Sequence, residues 1–261
     1  MRNPGYEADI VFRDIEYENR FVAFVDVMGV KNYIRESNDP NELKLFSQLM
    51  HMYANQPFAD GKVNVTMFSD CMYLIAEEQC LDQLICLLAN FAYNLLVNRE
   101  NYTTVNSDGS IDSSIIWRCF KLRGGITYGK VISLDEEAQR KNLPYSFNMV
   151  LGPAALDAYK LESTKAVYPR IIVDDDFLKH CTEKSVSLER YYLSRDTESD
   201  YYYLDFWDYM FKGKCGSNNF LEECIEYTKK ELKEAKEKSN PKLVGQIYWY
   251  LDYLERHLMD R

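Results

Sequence analysis

An α+β fold, with helices packed on a mainly antiparallel sheet, is predicted by three features of the 261-residue sequence. Residues 20–29, RFVAFVDVMG, form a short apolar run rich in Val and Phe that stops at Gly29, the pattern of a buried central strand. Residues 62–76, KVNVTMFSDCMYLIA, read as two strands joined at the polar pair Ser69-Asp70, a hairpin. Helical and extended stretches then alternate along the chain, which splits the strands of one sheet around helices.

The elements follow in order. Asp39 is a plausible N-cap and Pro40 a first helical residue for the stretch 41–56. Residues 80–98 form an apolar helix, and 101–113, NYTTVNSDGSIDS, read as a loop. Residues 114–133 read as one strand with a kink or bulge at Gly124-Gly125. A polar excursion over 134–150 leads to a helix opened by Gly152-Pro153. Residues 166–174 and the aromatic run 201–211 read as further strands, and the stretch from Phe220 to Arg261 as two helices broken at 239–241. The order through 174, β-helix-helix-β-β-helix-β-helix-β, suits a ferredoxin-like palm with helices on one face. The expected organisation is an N-terminal arm (1–19), a body (20–211) and a C-terminal helical appendage (212–261).

Composition excludes several classes. Lys and Arg number 31 against 41 Asp and Glu, a formal charge of −10. Nucleic-acid affinity is mostly electrostatic, so a general nucleic-acid binder is not expected, although a small basic pocket for one nucleotide remains open. No run approaches the roughly 18 apolar residues of a membrane span, and MRNPGYEADIVFRDIE lacks the apolar core of a signal peptide. Seven Cys without CxxC spacing read as reduced thiols, so a cytoplasmic location without membrane association is expected. Three His and no clustered thiols argue against zinc.

Two aspartates carry the chemistry. Asp26 sits in the apolar strand 20–29, where a carboxylate is costly unless paired or metal-bound. It could instead cap a helix beginning near Val30. Asp70 sits at the hairpin turn, where Asp is also a routine turn residue. If the first strand lies beside the hairpin, the two carboxylates meet at one end of the sheet. With the Val27 carbonyl they would make a hard oxygen site for Mg²⁺ or Mn²⁺, ions that need substrate phosphates to complete their octahedron. Gly29, Val30 and Lys31 would add backbone N–H groups at a helix N-terminus, an anion site; a plain strand-to-helix turn is the other reading of Gly29.

These blocks together resemble the class III nucleotidyl cyclase catalytic domain. Asp26-Val27-Met28-Gly29-Val30 resembles its first metal motif, and Phe68-Ser69-Asp70-Cys71-Met72-Tyr73 its second. Arg123-Gly-Gly-Ile-Thr-Tyr-Gly129 resembles its Arg-x-Gly-Ile-x-x-Gly strand. Gly152-Pro-Ala-Ala-Leu156-Asp-Ala-Tyr-Lys160-Leu-Glu-Ser163 resembles the helix Gly-x-x-x-Asn-x-x-x-Arg-(Met/Leu)-Glu-Ser. The likeness spans about residues 20–175 in order. Phe21 to Lys31 and Ala158 to Ser163 are closer to one branch, the pyrimidine cyclases of Pycsar antiphage systems.

The resemblance implies a catalytic domain over 20–211 that converts UTP, or CTP, to a 3′,5′-cyclic nucleotide and pyrophosphate with two Mg²⁺ or Mn²⁺ ions per site. It implies a homodimer with active sites at the interface, and a separate effector that senses the product. The purine branch's base-reading Lys falls at Thr66 and its acidic partner near Met149, so neither group is retained. The family's transition-state Asn is Leu156 and its Arg is Lys160; either other groups serve, or the helix alignment is shifted.

Strand alternation places Phe24 on the face of Asp26, and Thr66 and Phe68 on the face of Asp70. Phe24 or Phe68 would pack on the pyrimidine and Thr66 would hydrogen-bond it; ordinary core packing is the other reading of both aromatics. The reaction expected is in-line attack of the ribose 3′-OH on the α-phosphorus, with Lys160 or Arg123 as the cation that stabilises the transition state. A solvated helix face and an interface salt bridge are the respective alternatives. Two further readings stay open: a purine cyclase with an unusual pocket, and a cyclase-like module that binds nucleotide without turnover. Both aspartates argue against the second and Leu156 argues for it. Asp174-Asp175-Asp176 reads as a helix cap, and the aromatic stripe of QIYWYLDYLERHL as a core or dimer face.

Overall fold

Every residue from Arg20 to Val25 is buried, so strand β1 (Glu18–Met28) must be covered on both faces. In the structure, a computed structural model, the described residues are 15–30, 62–97, 99–105, 111–117, 120–134, 149–196, 199–211 and 218–259, with 35, 47, 50, 51, 136 and 140. Most of the N-terminal arm and of the helix expected over 41–56 lies outside them; Ser47, Met50 and His51 are helical.

Strands β2 (Val63–Phe68) and β3 (Cys71–Ala76) form the expected hairpin, followed by helix α1 (Leu81–Val97). Next come β4 (Arg99–Val105), β5 (Ile111–Trp117), β6 (Lys121–Ser133) and β7 (Val150–Leu151). Helix α2 (Pro153–Thr164), β8 (Ile171–Val173), α3 (Asp175–Glu183), β9 (Leu193–Arg195) and β10 (Tyr202–Leu204) lead to α4 (Phe206–Phe211), α5 (Asn218–Glu237) and α6 (Pro241–Met259). The main sheet runs β2-β3-β1-β6-β8-β10-β9, with β7 paired to the end of β6. Its neighbours are antiparallel except β6 and β8. Its first four strands have the ferredoxin-like order, as expected for this α+β class.

The helices do not share one face, which corrects that expectation. Phe21, Ala23, Val25 and Val27 join a core with α1 residues such as Leu84 and Leu88. Val22 and Phe24 pack instead with Ala154, Ala155 and Ala158 of α2. Alternation along β1 thus feeds two separate apolar layers.

The Gly124-Gly125 pair is neither kink nor bulge, because β1 and β6 stay in register from Glu18–Val131 to Met28–Lys121. The glycines permit close approach. A Cβ on Gly125 would lie 2.6 Å from the Leu161 Cβ, and one on Gly124 2.7 Å from the Phe24 carbonyl oxygen.

Three boundaries differ from the sequence reading. Residues 101–113 are not all loop, and 114–133 is not one strand: β4 and β5 pair in a separate two-stranded sheet, and β6 begins afresh at Lys121. Alternating apolar residues carry no mark of which sheet they join. The run 201–211 is strand only over β10, after which α4 begins. Asp205 Oδ1 accepts from the Asp208 N–H (3.1 Å), an N-cap that overrides the β preference of the aromatics. At Asp174 the cap reading holds, its side chain accepting from the Phe177 N–H at 2.9 Å.

Helices α5 and α6 pack on the body. Trp249, Tyr250 and Tyr253 of α6 share the core of Tyr203, Leu204 and Phe206, so the aromatic stripe is a core face. Lys121 of β6 pairs with Glu231 of α5 at 2.6 Å. Tyr253 donates to Asp205 (2.8 Å), and His257 lies 3.3 Å from Asp205 and 3.4 Å from Asp208 through its two nitrogens. Burial alone would lower the His257 pKa; hydrogen bonds to both carboxylates, and their charges, raise it to about 9. Among the described residues no helix is long and apolar enough to cross a membrane.

Two stability measurements follow from this packing. Gly125→Ala, measured by urea unfolding, is expected to cost about 1–3 kcal/mol by overpacking the β6–α2 contact. The folded pKa of His257 exceeds its unfolded value near 6.5. Its contribution is therefore complete below that pH and lost as pH rises through about 9. Unfolding free energy should fall over that window by up to ~3 kcal/mol, and His257→Gln should flatten the profile.

Candidate active site

The register of β1 builds the site. Asp26 lies opposite Cys71 of β3 on one side and Arg123 of β6 on the other. The hairpin turn is tied to the same strand, since the Val27 N–H donates to the Asp70 carbonyl at 3.0 Å. Ser69 takes a left-handed φ of 59° at the turn, and Asp70 is buried behind it. Carboxylate oxygens of Asp26 and Asp70 and the Cys71 sulfur all lie within 4.8 Å of one another.

The Asp26 carboxylate is fully engaged. Its Oδ1 accepts from the Cys71 thiol at 3.2 Å, and its Oδ2 from Arg123 Nε at 3.1 Å, with Arg123 Nη2 at 3.0 Å. Among the described residues none of these contacts is a helix cap. Arg123 also reaches back to Glu162 of α2, Nε to Oε1 at 2.6 Å. Burial, reinforced by the hydrogen bond and charge of Asp26 and then by the charge of Asp70, pushes the Cys71 thiol far above its ordinary range. It donates to Asp26 as a neutral thiol.

This donor set fits a hard divalent cation. Asp26 and Asp70 lie together, and Arg123 pairs with both Asp26 and Glu162. The oxygens of Asp26 and Asp70 would hold Mg²⁺ or Mn²⁺, and Arg123 pairs with Asp26. Gly29 has φ +92°, a conformation that favours Gly, and nothing lies within 4 Å of where a Cβ would project. The side chain of Val30 is buried in the core; the amides that follow it lie outside the described residues.

The aromatic residues separate by depth. Phe24 is 2% exposed, packed on Tyr73 (4.8 Å between centroids) and edge-on to Tyr159 (5.3 Å). Phe68 is 47% exposed and lies 5.9 Å from Tyr73, so it offers the more open face. Thr66 is buried, 3.4 Å from the Asn64 carboxamide oxygen, and pairs in register with Tyr73. Lys160 is exposed on α2 and forms no ion pair with Asp26 or Asp70; Leu156, one turn earlier, is also exposed. Arg123, in contrast, belongs to the aspartate cluster of its own chain.

Cys71, Tyr73, Tyr159 and Glu162 were not singled out from the sequence. Cys71 and Tyr73 share the site face because they pair with Asp26 and Phe24, which only the β1–β3 register reveals; Glu162 could have been found by its i+8 position from the buried Ala154. The partnership of Glu162 with Arg123 carries no sequence signal.

No protein-family model and no curated protein matches the chain. Among solved structures it is similar to the guanylyl cyclase domain of a rhodopsin fusion protein from the fungus Blastocladiella emersonii, at 14% identity and TM-score 0.46, over 72% of this chain and 94% of that one. The guanylate cyclase domain from Catenaria anguillulae in complex with GTP matches at 14% and 0.44, over 72% and 94%. A bacterial light-regulated adenylyl cyclase matches at 16% and 0.43, over 74% and 92%.

The difference in depth between the two aromatics is measurable. Phe24→Ala should cost about 3–5 kcal/mol in urea unfolding. Phe68→Ala should cost under about 1 kcal/mol, which would leave Phe68 the aromatic available to a ligand.

Proposed function

We propose that this protein is a nucleotidyl cyclase that converts a pyrimidine nucleoside triphosphate, UTP in preference to CTP, into a 3′,5′-cyclic nucleotide and pyrophosphate. The product would act on a separate effector in bacterial antiviral defence. The observation that carries the reading is the convergence of Asp26 and Asp70 at one end of the sheet. The motif resemblance around both aspartates, Arg123 and α2 supplies the reaction class. The pyrimidine preference rests on Thr66 and Met149 standing where purine cyclases read the base.

Two bound Mn²⁺ or Mg²⁺ ions would neutralise the triphosphate and activate the ribose 3′-OH. The protein's own residues do the rest. Asp26 and Asp70, with the Val27 carbonyl, hold the cations; Gly29, with open space above it, and Val30 admit the phosphates to backbone amides. Phe68, backed by Phe24 and Tyr73, packs on the base, and Thr66 hydrogen-bonds its edge. Arg123 turns from Asp26 toward the charge that develops on phosphate oxygens. The exposed side chains of Leu156, Tyr159 and Phe68 suit a homodimer interface, across which Lys160 would reach the second copy's site.

Incubation with each of the four nucleoside triphosphates and Mn²⁺, with products resolved against cyclic standards, tests the reading. Cyclic UMP is the expected product, and Asp26→Ala or Asp70→Ala should lower turnover by at least about 100-fold with unchanged circular dichroism. A cyclic purine would overturn the pyrimidine assignment, and no product from any triphosphate would overturn the cyclase.

A further inference from the structure

We propose that Tyr159 of α2 is a substrate-contacting residue: its hydroxyl hydrogen-bonds the edge of the base that packs on Phe68. The inference deepens the cyclase reading and rests on it for the identity of the ligand, a nucleoside triphosphate.

Four aromatic rings meet on the α2 side of the sheet, beside the aspartates. Phe24 of β1, Tyr73 of β3 and Thr66 of β2 form one row across the strands by their pairings. Asp26, Cys71 and Phe68 form the next row. Phe68 thus lies two strands from Asp26, roughly 10 Å across the sheet. A triphosphate held at Asp26 and Asp70 has its base within reach of this aromatic group.

The rings differ in what they leave open. Phe24 is buried, and the Tyr73 hydroxyl is engaged by the Ala155 carbonyl at 3.1 Å. Phe68 and Tyr159 both rest against Phe24, at 6.1 and 5.3 Å between centroids, and are 47% and 51% exposed. Sharing one neighbour keeps them close enough for a single planar base to lie on Phe68 and reach the phenol oxygen.

Orientation decides how Tyr159 takes part. Its ring stands at 81° to Phe24, whereas Phe68 is inclined at 32° to the same ring. The planes of Phe68 and Tyr159 are therefore far from parallel, and the two cannot sandwich a base face to face. What Tyr159 has to offer is its hydroxyl, which has no hydrogen-bond partner among the described residues. A phenol O–H both donates and accepts, so it can meet the donors and acceptors along a base edge. Ligand pockets combine apolar walls with a few placed polar groups, and here Phe68 supplies the wall and Tyr159 a polar group.

Two probes, both with the full chain and Mn²⁺, separate base from phosphate. One is α,β-methylene-UTP, whose bridging carbon blocks the release of pyrophosphate; the other is inorganic triphosphate, which has no base. Tyr159→Phe keeps the ring and removes the hydroxyl. By titration calorimetry it should weaken binding of the analogue about fivefold and change binding of inorganic triphosphate less than twofold. Tyr159→Ala should weaken the analogue at least as much. An equal loss for both probes would put the hydroxyl on the phosphates and overturn the base contact. Sedimentation velocity of Tyr159→Phe should match that of the unaltered protein; weaker self-association would assign the hydroxyl to the contact between copies and overturn it too. If Tyr159→Phe binds the analogue and forms cyclic UMP as the unaltered protein does, the Tyr159 contact falls and the cyclase stands. If the unaltered protein binds neither probe, the nucleotide reading of Asp26 and Asp70 falls and takes the contact with it.

Discussion

Strand β1 is buried on both faces and hydrogen-bonded on both edges, and this confinement decides where Asp26 can go. Its carboxylate leaves the strand on the α2 side, in register between Cys71 and Arg123. A carboxylate held in a strand of this kind needs donors, and the antiparallel pairing supplies one from each neighbouring strand. The backbone bond from Val27 to the Asp70 carbonyl adds the second acid by fixing the hairpin turn to the same strand end. Each acid is therefore placed by the backbone ladder, before any ligand contributes.

Helix α2 completes the site because it can come close. Ala154, Ala155 and Ala158 face the sheet, and Gly125 has no side chain to hold the helix away. That approach lowers Glu162 onto Arg123 and sets Tyr159 edge-on to Phe24. Tyr73 fastens the helix from below by donating to the Ala155 carbonyl at 3.1 Å. The same helix turns Leu156 and Lys160 outward, so its two faces separate packing from surface.

At the far side of the sheet, charge is buried for structure. Arg170 pairs with Asp196, both almost fully buried, and its guanidinium lies over Tyr168 and Trp249 at 5.2 and 5.4 Å. The Gln246 amide donates to the Val167 carbonyl at 2.9 Å. With the Asp205–Tyr253–His257 contacts, these join α6 to the strands β8 and β10 and to α4. The two acid clusters differ in their partners: Asp205 and Asp208 face the two nitrogens of one imidazole, whereas Asp26, beside Asp70, faces the Arg123 guanidinium.

The central strand, the hairpin, helices α1, α2, α5 and α6, and the two aspartates are legible in the sequence, because each is written locally as an apolar run, a polar turn or a Gly-Pro and Asn-Pro start. Strand alternation also places Phe24 with Asp26, and Thr66 and Phe68 on one side of the hairpin. What alternation cannot give is depth: that Phe24 is covered by α2 while Phe68 stays half open depends on a helix more than eighty residues away in the chain. The β4–β5 sheet, the second helical face and the Glu162–Arg123–Asp26 contacts are likewise decided by which surfaces meet. Pairing partners and interlayer distances are properties of the assembled fold, and no single segment encodes them.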